Sequence, residues 1–110
     1  MSERRNNPRM EASLEAVLDG HGNQARITDL SEGGCFVDTI GESYIGEELT
    51  LRVKLPDGGW LELTGEVAHH QVPVGFGLRF LDLTDEQLQQ LRSLIDHLKG
   101  PHDRMNAILR

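Results

Sequence analysis

The sequence predicts an all-β domain, a small antiparallel barrel followed by a single C-terminal helix. Three observations support this fold class. Apolar and polar residues alternate along several short segments, as they do in half-buried strands. Glycine-rich turns separate these segments at short intervals, which is typical of barrels. Beyond residue 84 the apolar spacing becomes helical, and a helix with one apolar face would cover an open end of the barrel.

The first segment, residues 10–18, fits two kinds of structure. A half-buried strand would use the alternating positions Met10, Ala12, Leu14, Ala16 and Leu18. A helix would present the stripe Met10, Leu14, Val17 and Leu18. Asn7 could cap that helix, with Pro8 at its first position. Because Ala, Glu and Leu are good helix formers, the local sequence favours the helix.

The middle of the chain predicts strands at residues 24–30, 35–37, 49–55, 60–69 and 75–81. The segment Pro56-Asp57-Gly58-Gly59 has the residues of a hairpin turn. Gly65 interrupts the apolar face of its strand, which indicates a bulge or a bend. These strands account for the barrel.

The C-terminal helix has a clear start signal. Thr84 is followed three residues later by Gln87, the pattern of a capping box. The stripe that follows is Leu88, Leu91, Leu94, Ile95 and Leu98. We interpret it as core, with a dimer contact as the alternative, and expect a monomer or a weak homodimer. Gly100-Pro101 is predicted to end the helix, which gives a helix over 84–99 and a tail over 100–110.

Charge and cysteine usage restrict the class of protein. The net charge is −7, yet residues 1–9 form a basic arm with Arg4, Arg5 and Arg9. Proteins that bind long nucleic acid usually carry a broad basic surface, so this distribution favours a small anionic ligand over a nucleic-acid polymer. No apolar run reaches membrane-spanning length, so no membrane insertion is expected. Cys35 has no partner cysteine, which indicates a reducing compartment, and we expect a cytoplasmic location.

Two short patterns carry candidate binding chemistry. Arg5 and Arg9 lie four residues apart, and an arginine fork can bind either phosphate or the edge of guanine. Asp29 can accept hydrogen bonds from guanine, and Ser31 can donate to phosphate. The backbone amides around Ser31, Gly33 and Gly34 could form an anion-binding concavity, because glycine permits close backbone approach. The alternatives are a disordered terminus and an ordinary turn between strands.

Together the two patterns resemble the PilZ domain, whose ligand motif is R-x-x-x-R followed by [D/N]-x-S-x-x-G. The matching stretches are Arg4-Arg5-Asn6-Asn7-Pro8-Arg9, Asp29-Leu30-Ser31-Glu32-Gly33-Gly34 and Gly75-Phe76-Gly77-Leu78-Arg79-Phe80. The resemblance covers roughly residues 4–98. It implies a six-stranded antiparallel, Greek-key or split barrel with a C-terminal helix, in which residues 10–18 form a strand. It thereby contradicts the local preference for a helix in that segment.

The resemblance also implies a function, the binding of cyclic di-GMP. By position in the motif, Arg5, Arg9, Asp29, Ser31, Gly33 and Gly34 would form the ligand site. Arg4 is similar to the extra arginine of members that bind a stacked pair of ligand molecules. Some members stack guanine on an aromatic residue of a later strand, for which only His69 or His70 is a candidate here, since Trp60 sits early in its strand.

These features predict a bacterial, non-catalytic receptor, because no nucleophile–base pair or metal-ligand spacing is evident. The expected ligand is cyclic di-GMP, with no other cofactor and no metal. The expected partner is an unidentified effector protein, which would respond as residues 1–9 order over the ligand. The alternatives are a ligand-independent adaptor and a barrel for single-stranded nucleic acid. The acidic body and scarce aromatic residues count against the last.

Overall fold

In a computed structural model of the chain, the structure describes residues 9–19, 24–39, 43–71 and 75–109, with side chains described as far as residue 99. The elements in chain order are β1 (Met10–Leu18), β2 (Gln24–Leu30), β3 (Gly34–Asp38), β4 (Glu48–Lys54), β5 (Trp60–Gln71), β6 (Gly75–Phe80) and α1 (Asp85–Leu109). Arg4 and Arg5 lie outside the described residues, as do residues 20–23, 40–42 and 72–74.

The six strands form a closed antiparallel barrel in the order β1-β2-β3-β6-β5-β4. Closure depends on two pairings between strands that are distant in sequence, β1 with β4 and β3 with β6. The barrel interior is aliphatic, as the low aromatic content requires. Its fully buried side chains are Ile27, Leu30, Cys35, Val37, Leu51, Val53, Leu61, Leu63, Val67 and Leu91. The predicted fold class is confirmed.

The preference for a helix at residues 10–18 is wrong, because β1 is a strand. The segment is a strand because it pairs by hydrogen bonds with two neighbours. β1 lies between β2 and β4, with Ala16 opposite both Ala25 and Val53. The alternating pattern now has a physical meaning, since Ala16 and Leu18 are buried in the core and Glu15 is exposed. Tertiary pairing outweighs helix propensities that differ by less than about 1 kcal/mol per residue.

Helix α1 begins as predicted. Gln87 N–H donates to Thr84 Oγ1 at 3.0 Å, and Thr84 N–H donates to Gln87 Oε1 at 2.8 Å. The Gln87 side-chain amide also donates to the Glu62 carbonyl of β5 at 2.8 Å, which ties the helix start to the barrel. Leu91 and Leu94 are buried in the barrel core, and α1 packs against β1 and β5.

The prediction that Gly100-Pro101 ends the helix is wrong, because the helical backbone runs to Leu109. Proline lacks one donor and crowds the preceding turn, so it weakens or kinks a helix without always terminating it. No helix of the described residues is long and apolar enough to cross a membrane.

Gly65 does not mark a bulge, contrary to one reading of the sequence. A Cβ at this position would lie 2.6 Å from the Leu78 Cγ, so glycine is required for packing against β6. The irregular positions occur elsewhere, between Glu11 and Leu14, between Ile27 and Asp29, and between Val67 and His69. Register shifts redirect side chains, and two of these three shifts directly precede residues of the site described next.

Candidate functional site

Arg9 and Asp29 meet at one end of the barrel. Arg9 Nη1 lies 3.3 Å from Asp29 Oδ2, although the residues are 20 positions apart in sequence. The pairing of β1 with β2 produces this contact, since Met10 is opposite Leu30 and Glu11 is opposite Asp29. The structure therefore joins one residue of each half of the predicted motif.

One of the two carboxylate oxygens of Asp29 does not contact Arg9. Its Oδ1 is buried and has no hydrogen-bond partner among the described residues. A buried acceptor without a hydrogen-bond partner lowers the stability of a protein by about 1–3 kcal/mol. Such an atom therefore indicates a position at which a bound molecule could donate a hydrogen bond. The Asp29 side chain as a whole is 30% exposed, so solvent reaches part of the carboxylate.

Ser31 shapes the turn between β2 and β3. Its Oγ accepts hydrogen bonds from the backbone N–H groups of Gly33 and Gly34, both at 3.2 Å, and it donates to the Gly34 carbonyl at 3.3 Å. Ser31 N–H also donates to the Gly34 carbonyl at 2.9 Å. The expected concavity of amides is thus occupied by the hydroxyl of Ser31, which is itself buried. The side chain holds the turn in shape.

Gly34 is required by the neighbouring strand. A Cβ at Gly34 would lie 2.3 Å from the backbone carbonyl oxygen of Leu78, a distance that no real Cβ tolerates. β3 and β6 pair at this point, with Gly34 opposite Arg79, and Phe80 N–H donates to the Gly33 carbonyl at 2.9 Å. The sequence predicts that glycine at position 34 allows close approach of a ligand. The structure shows that it also allows the close approach of β6.

His69 forms the opposite wall and distinguishes the two histidine candidates. Its imidazole lies directly over Gly77, where a Cβ would come within 2.1 Å of the His69 Cε1. The ring centroid is 6.2 Å from that of Phe36, with the planes tilted by 33°. His70 instead places Nε2 at 3.3 Å from Ser43 Oγ. Only His69 lines the cleft.

Arg79 and Glu66 complete the surface of β5 and β6. They are directly opposite in register and form an ion pair through Arg79 Nη2 and Glu66 Oε1. The Arg79 side chain is 62% exposed and reaches the same cleft. Sequence reasoning missed both residues as site members, because the pairing of β5 with β6 cannot be read from spacing along the chain.

Arg9, His69, Arg79 and the turn after β2 line a cleft of about 410 Å³. Its lining comprises Arg9, Ser31, Gly33, Gly34, Cys35, Ala68, His69, Gly77, Leu78 and Arg79. The volume lies within the usual range of small-molecule sites, about 300–1,000 Å³. A second cleft of about 420 Å³, beside Glu15, Arg26, Asp38 and Trp60, contains none of the predicted site residues.

The charge of Asp29 affects the pKa of Cys35, which is buried inside the barrel. Burial raises the pKa of the Cys35 thiol far above its ordinary value, the nearby Asp29 carboxylate raises it further, and Arg9 opposes them. Cys35 is therefore a neutral core residue that forms the floor of the cleft, with no properties of a reactive thiolate.

The turn is also linked to the helix. Glu32, within the Asp29–Gly34 segment, lies 3.2 Å from Arg92 of α1. Among the residues that the structure describes, no three His, Cys, Asp or Glu side chains gather as a metal site. The charged side chains that line the cleft are Arg9 and Arg79, which pair with Asp29 and Glu66 respectively. Two arginines beside a carboxylate with an unpaired oxygen suit an anion that also carries hydrogen-bond donors.

The closed six-stranded barrel with a C-terminal helix is a known class of domain. The sequence model of the PilZ domain matches residues 3–97. The chain therefore belongs to the PilZ domain family. No curated protein sequence matches it significantly.

Solved structures with the same fold include three chains of low sequence identity. An inhibitor of motility from Bacillus subtilis (MotI/DgrA) is 21% identical with a TM-score of 0.71, covering 89% of this chain and 52% of its own. YcgR from Escherichia coli in complex with c-di-GMP is 20% identical with a TM-score of 0.73, covering 97% and 51%. The separate PilZ domain of Escherichia coli YcgR, with c-di-GMP, is 17% identical with a TM-score of 0.68, covering 91% and 98%. This chain spans about half the length of the first two.

Proposed function

We propose that this protein is a non-catalytic receptor for cyclic di-GMP. The observation that supports this ligand best is the buried Asp29 Oδ1, an acceptor without a described partner, in a carboxylate that also pairs with Arg9. Guanine presents neighbouring N–H donors at N1 and N2, which suit a carboxylate, while the phosphates suit arginine. Membership of the PilZ family and the c-di-GMP complexes of two structural neighbours support the same ligand.

Each residue has a role in this proposal. Arg9 and Arg5 bind phosphate and guanine edges, Arg9 exchanging its Asp29 partner for the ligand. Because the Arg9 side chain is 59% exposed and its contact with Asp29 is near the surface, the pair contributes about 1 kcal/mol or less, and its loss costs little. Asp29 pairs with guanine. Ser31, Gly33 and Gly34 form the rigid side of the site, as their internal hydrogen bonds support.

Two further contacts belong to the proposal. His69 offers a ring face at the opposite wall, on which a guanine base can stack. Arg4, the third arginine of residues 1–9, would bind a second ligand molecule when a stacked pair is present. Residues 1–9 order over the ligand, and the altered surface is recognised by an effector protein. Tyr44 and Ile45, 71% and 64% exposed, provide apolar surface for such a partner.

Isothermal titration with cyclic di-GMP tests the receptor directly. A few charge-assisted hydrogen bonds, less the cost of ordering the arm, give an expected Kd near the micromolar level, about −8 kcal/mol. The fitted stoichiometry distinguishes a single ligand from a stacked pair. Absence of heat at high micromolar ligand would leave the ligand-independent adaptor as the better description.

Arg9→Ala and Arg5→Ala are each expected to abolish measurable binding, because each removes a cation that contacts phosphate. Arg52→Ala is the matched control: Arg52 is a comparably exposed arginine, 3.5 Å from Asp19, and does not line the cleft. Circular dichroism should be unchanged in all three variants. Parent-like affinity of Arg9→Ala would show that the site lies elsewhere.

A further inference from the structure

Arg79 occupies a position with two different neighbours in the sheet. On one side, across β5, is Glu66, which holds the guanidinium in an ion pair. On the other side, across β3, is Gly34, which has no side chain. Arg79 therefore has a carboxylate beside it on the β5 side and no neighbouring side chain on the β3 side.

The β3 side of Arg79, with Gly34, belongs to the cleft, whereas Glu66 is not among the residues that line it. The cleft is lined by Arg79 together with Arg9 and the Ser31–Gly34 turn. An anion held by Arg9 at this turn is within the same surface depression as the Arg79 guanidinium. Arginine can switch partners at low cost here, because its side chain is 62% exposed and the ion pair with Glu66 is at the surface.

Glu66 has the opposite effect on an anion. Its side chain is 32% exposed, so water screens its negative charge only in part. It engages the Arg79 cation that a phosphate would use. Of the described charged groups named around the cleft, Asp29 faces Arg9 and Glu32 faces Arg92, so Glu66 is the acid placed to control Arg79.

We propose that Arg79 is a further phosphate contact of the ligand site and that Glu66 sets the affinity by competing with the ligand for it. The proposal rests on the proposed cyclic di-GMP receptor function. In the free protein Arg79 is paired with Glu66, as observed. On binding, the guanidinium turns over Gly34 to the phosphate, and Glu66 is left to water. The acid thus raises the ligand concentration at which the receptor responds.

Titration of four variants with cyclic di-GMP tests the competition. Arg79→Ala is expected to weaken binding by about tenfold or more, the loss of one charge-assisted contact. Glu66→Gln is expected to tighten binding by roughly two- to fivefold, the worth of a surface ion pair that no longer has to be broken. Arg79→Lys should retain part of the affinity, because the charge remains and the fork is lost. The double variant Glu66→Gln, Arg79→Ala should bind like Arg79→Ala alone.

Glu62→Gln is the matched control for Glu66→Gln. Glu62 is exposed on the same strand, is opposite Arg52, and its removal changes the net charge equally. It should leave the affinity unchanged. Thermal unfolding of each variant separates effects on folding from effects on binding.

The outcomes separate this inference from the function on which it rests. If the parent protein binds no cyclic di-GMP, both are overturned. If the parent binds and Glu66→Gln binds equally or more weakly, the competition is overturned alone. A Glu66→Gln gain that persists in the Arg79→Ala background would mean simple repulsion of the ligand by Glu66, and would also overturn it.

Discussion

The Asp29 carboxylate has two unlike oxygens, and in the proposed receptor this asymmetry would make the residue selective for one base. Oδ2 faces the Arg9 guanidinium, whereas the buried Oδ1 has no partner among the described groups. An unpartnered carboxylate oxygen can distinguish guanine from adenine by the edge of the base. Guanine presents N–H donors at N1 and N2, whereas adenine presents an unprotonated N1 that cannot donate. Selectivity of this kind comes from leaving the wrong partner unpaired.

Asp29→Ala is therefore expected to lower the preference for guanine over adenine. The variant should lose affinity for cyclic di-GMP by about tenfold or more, the value of a hydrogen bond to a charged group, with little change for cyclic di-AMP. Parallel titrations with the two dinucleotides measure this. Equal losses for both would contradict a base-reading role for Asp29.

Individual residues differ in how far sequence could assign them. Arg9, Asp29 and Ser31 follow from a motif with regular spacing. The reason for Gly34 does not, because the Leu78 carbonyl that excludes a Cβ belongs to β6. Likewise, the choice of His69 over His70 depends on the register shift between Val67 and His69, which no local pattern encodes.

Helix α1 shows that sequence predicts a structural feature well when the interactions that form it join residues close together in the chain. The capping box of Thr84 and Gln87 needs only residues within one turn, and it forms as predicted. β1 shows the reverse, since its helix-favouring residues are overruled by β2 and β4. The strand assignment came from resemblance to the PilZ family and could not have come from propensity.

Thr84→Ala is expected to lower the free energy of unfolding by about 1 kcal/mol, because a helix N–H loses its cap. Ser93→Ala is the control, as Ser93 is an exposed position inside the same helix; it should be neutral or slightly stabilising. Urea unfolding followed by circular dichroism measures both. A Thr84→Ala protein as stable as the parent would show that the observed cap hydrogen bonds contribute nothing net.

The barrel as a cooperative unit keeps Cys35 neutral. Burial, and then the charge of Asp29, raise the pKa of this thiol above its ordinary 9.0 in the folded protein. In the unfolded chain the thiol ionises near its ordinary value. The folded state therefore holds a proton that the unfolded state releases, and stability must fall as pH rises above about 9.

The slope of this loss is expected to approach about 1.4 kcal/mol per pH unit. Urea unfolding of the parent and of Cys35→Ala, at several pH values between about 8 and 10, isolates the contribution of the thiol. The stability difference between the two proteins should change with pH in this window in favour of Cys35→Ala. A constant difference would mean that Cys35 ionises alike in both states.

The closed strand order also has a kinetic consequence. The β4–β5 hairpin is local, joined by a turn at residues 55–59, and can form early. The cleft proposed to bind the ligand needs β3 beside β6, a pairing between residues about 40 positions apart, such as Cys35 with Leu78. Contacts of such long range form late in folding. A partly folded chain therefore has no binding site, so ligand should slow the unfolding of the barrel without accelerating its folding.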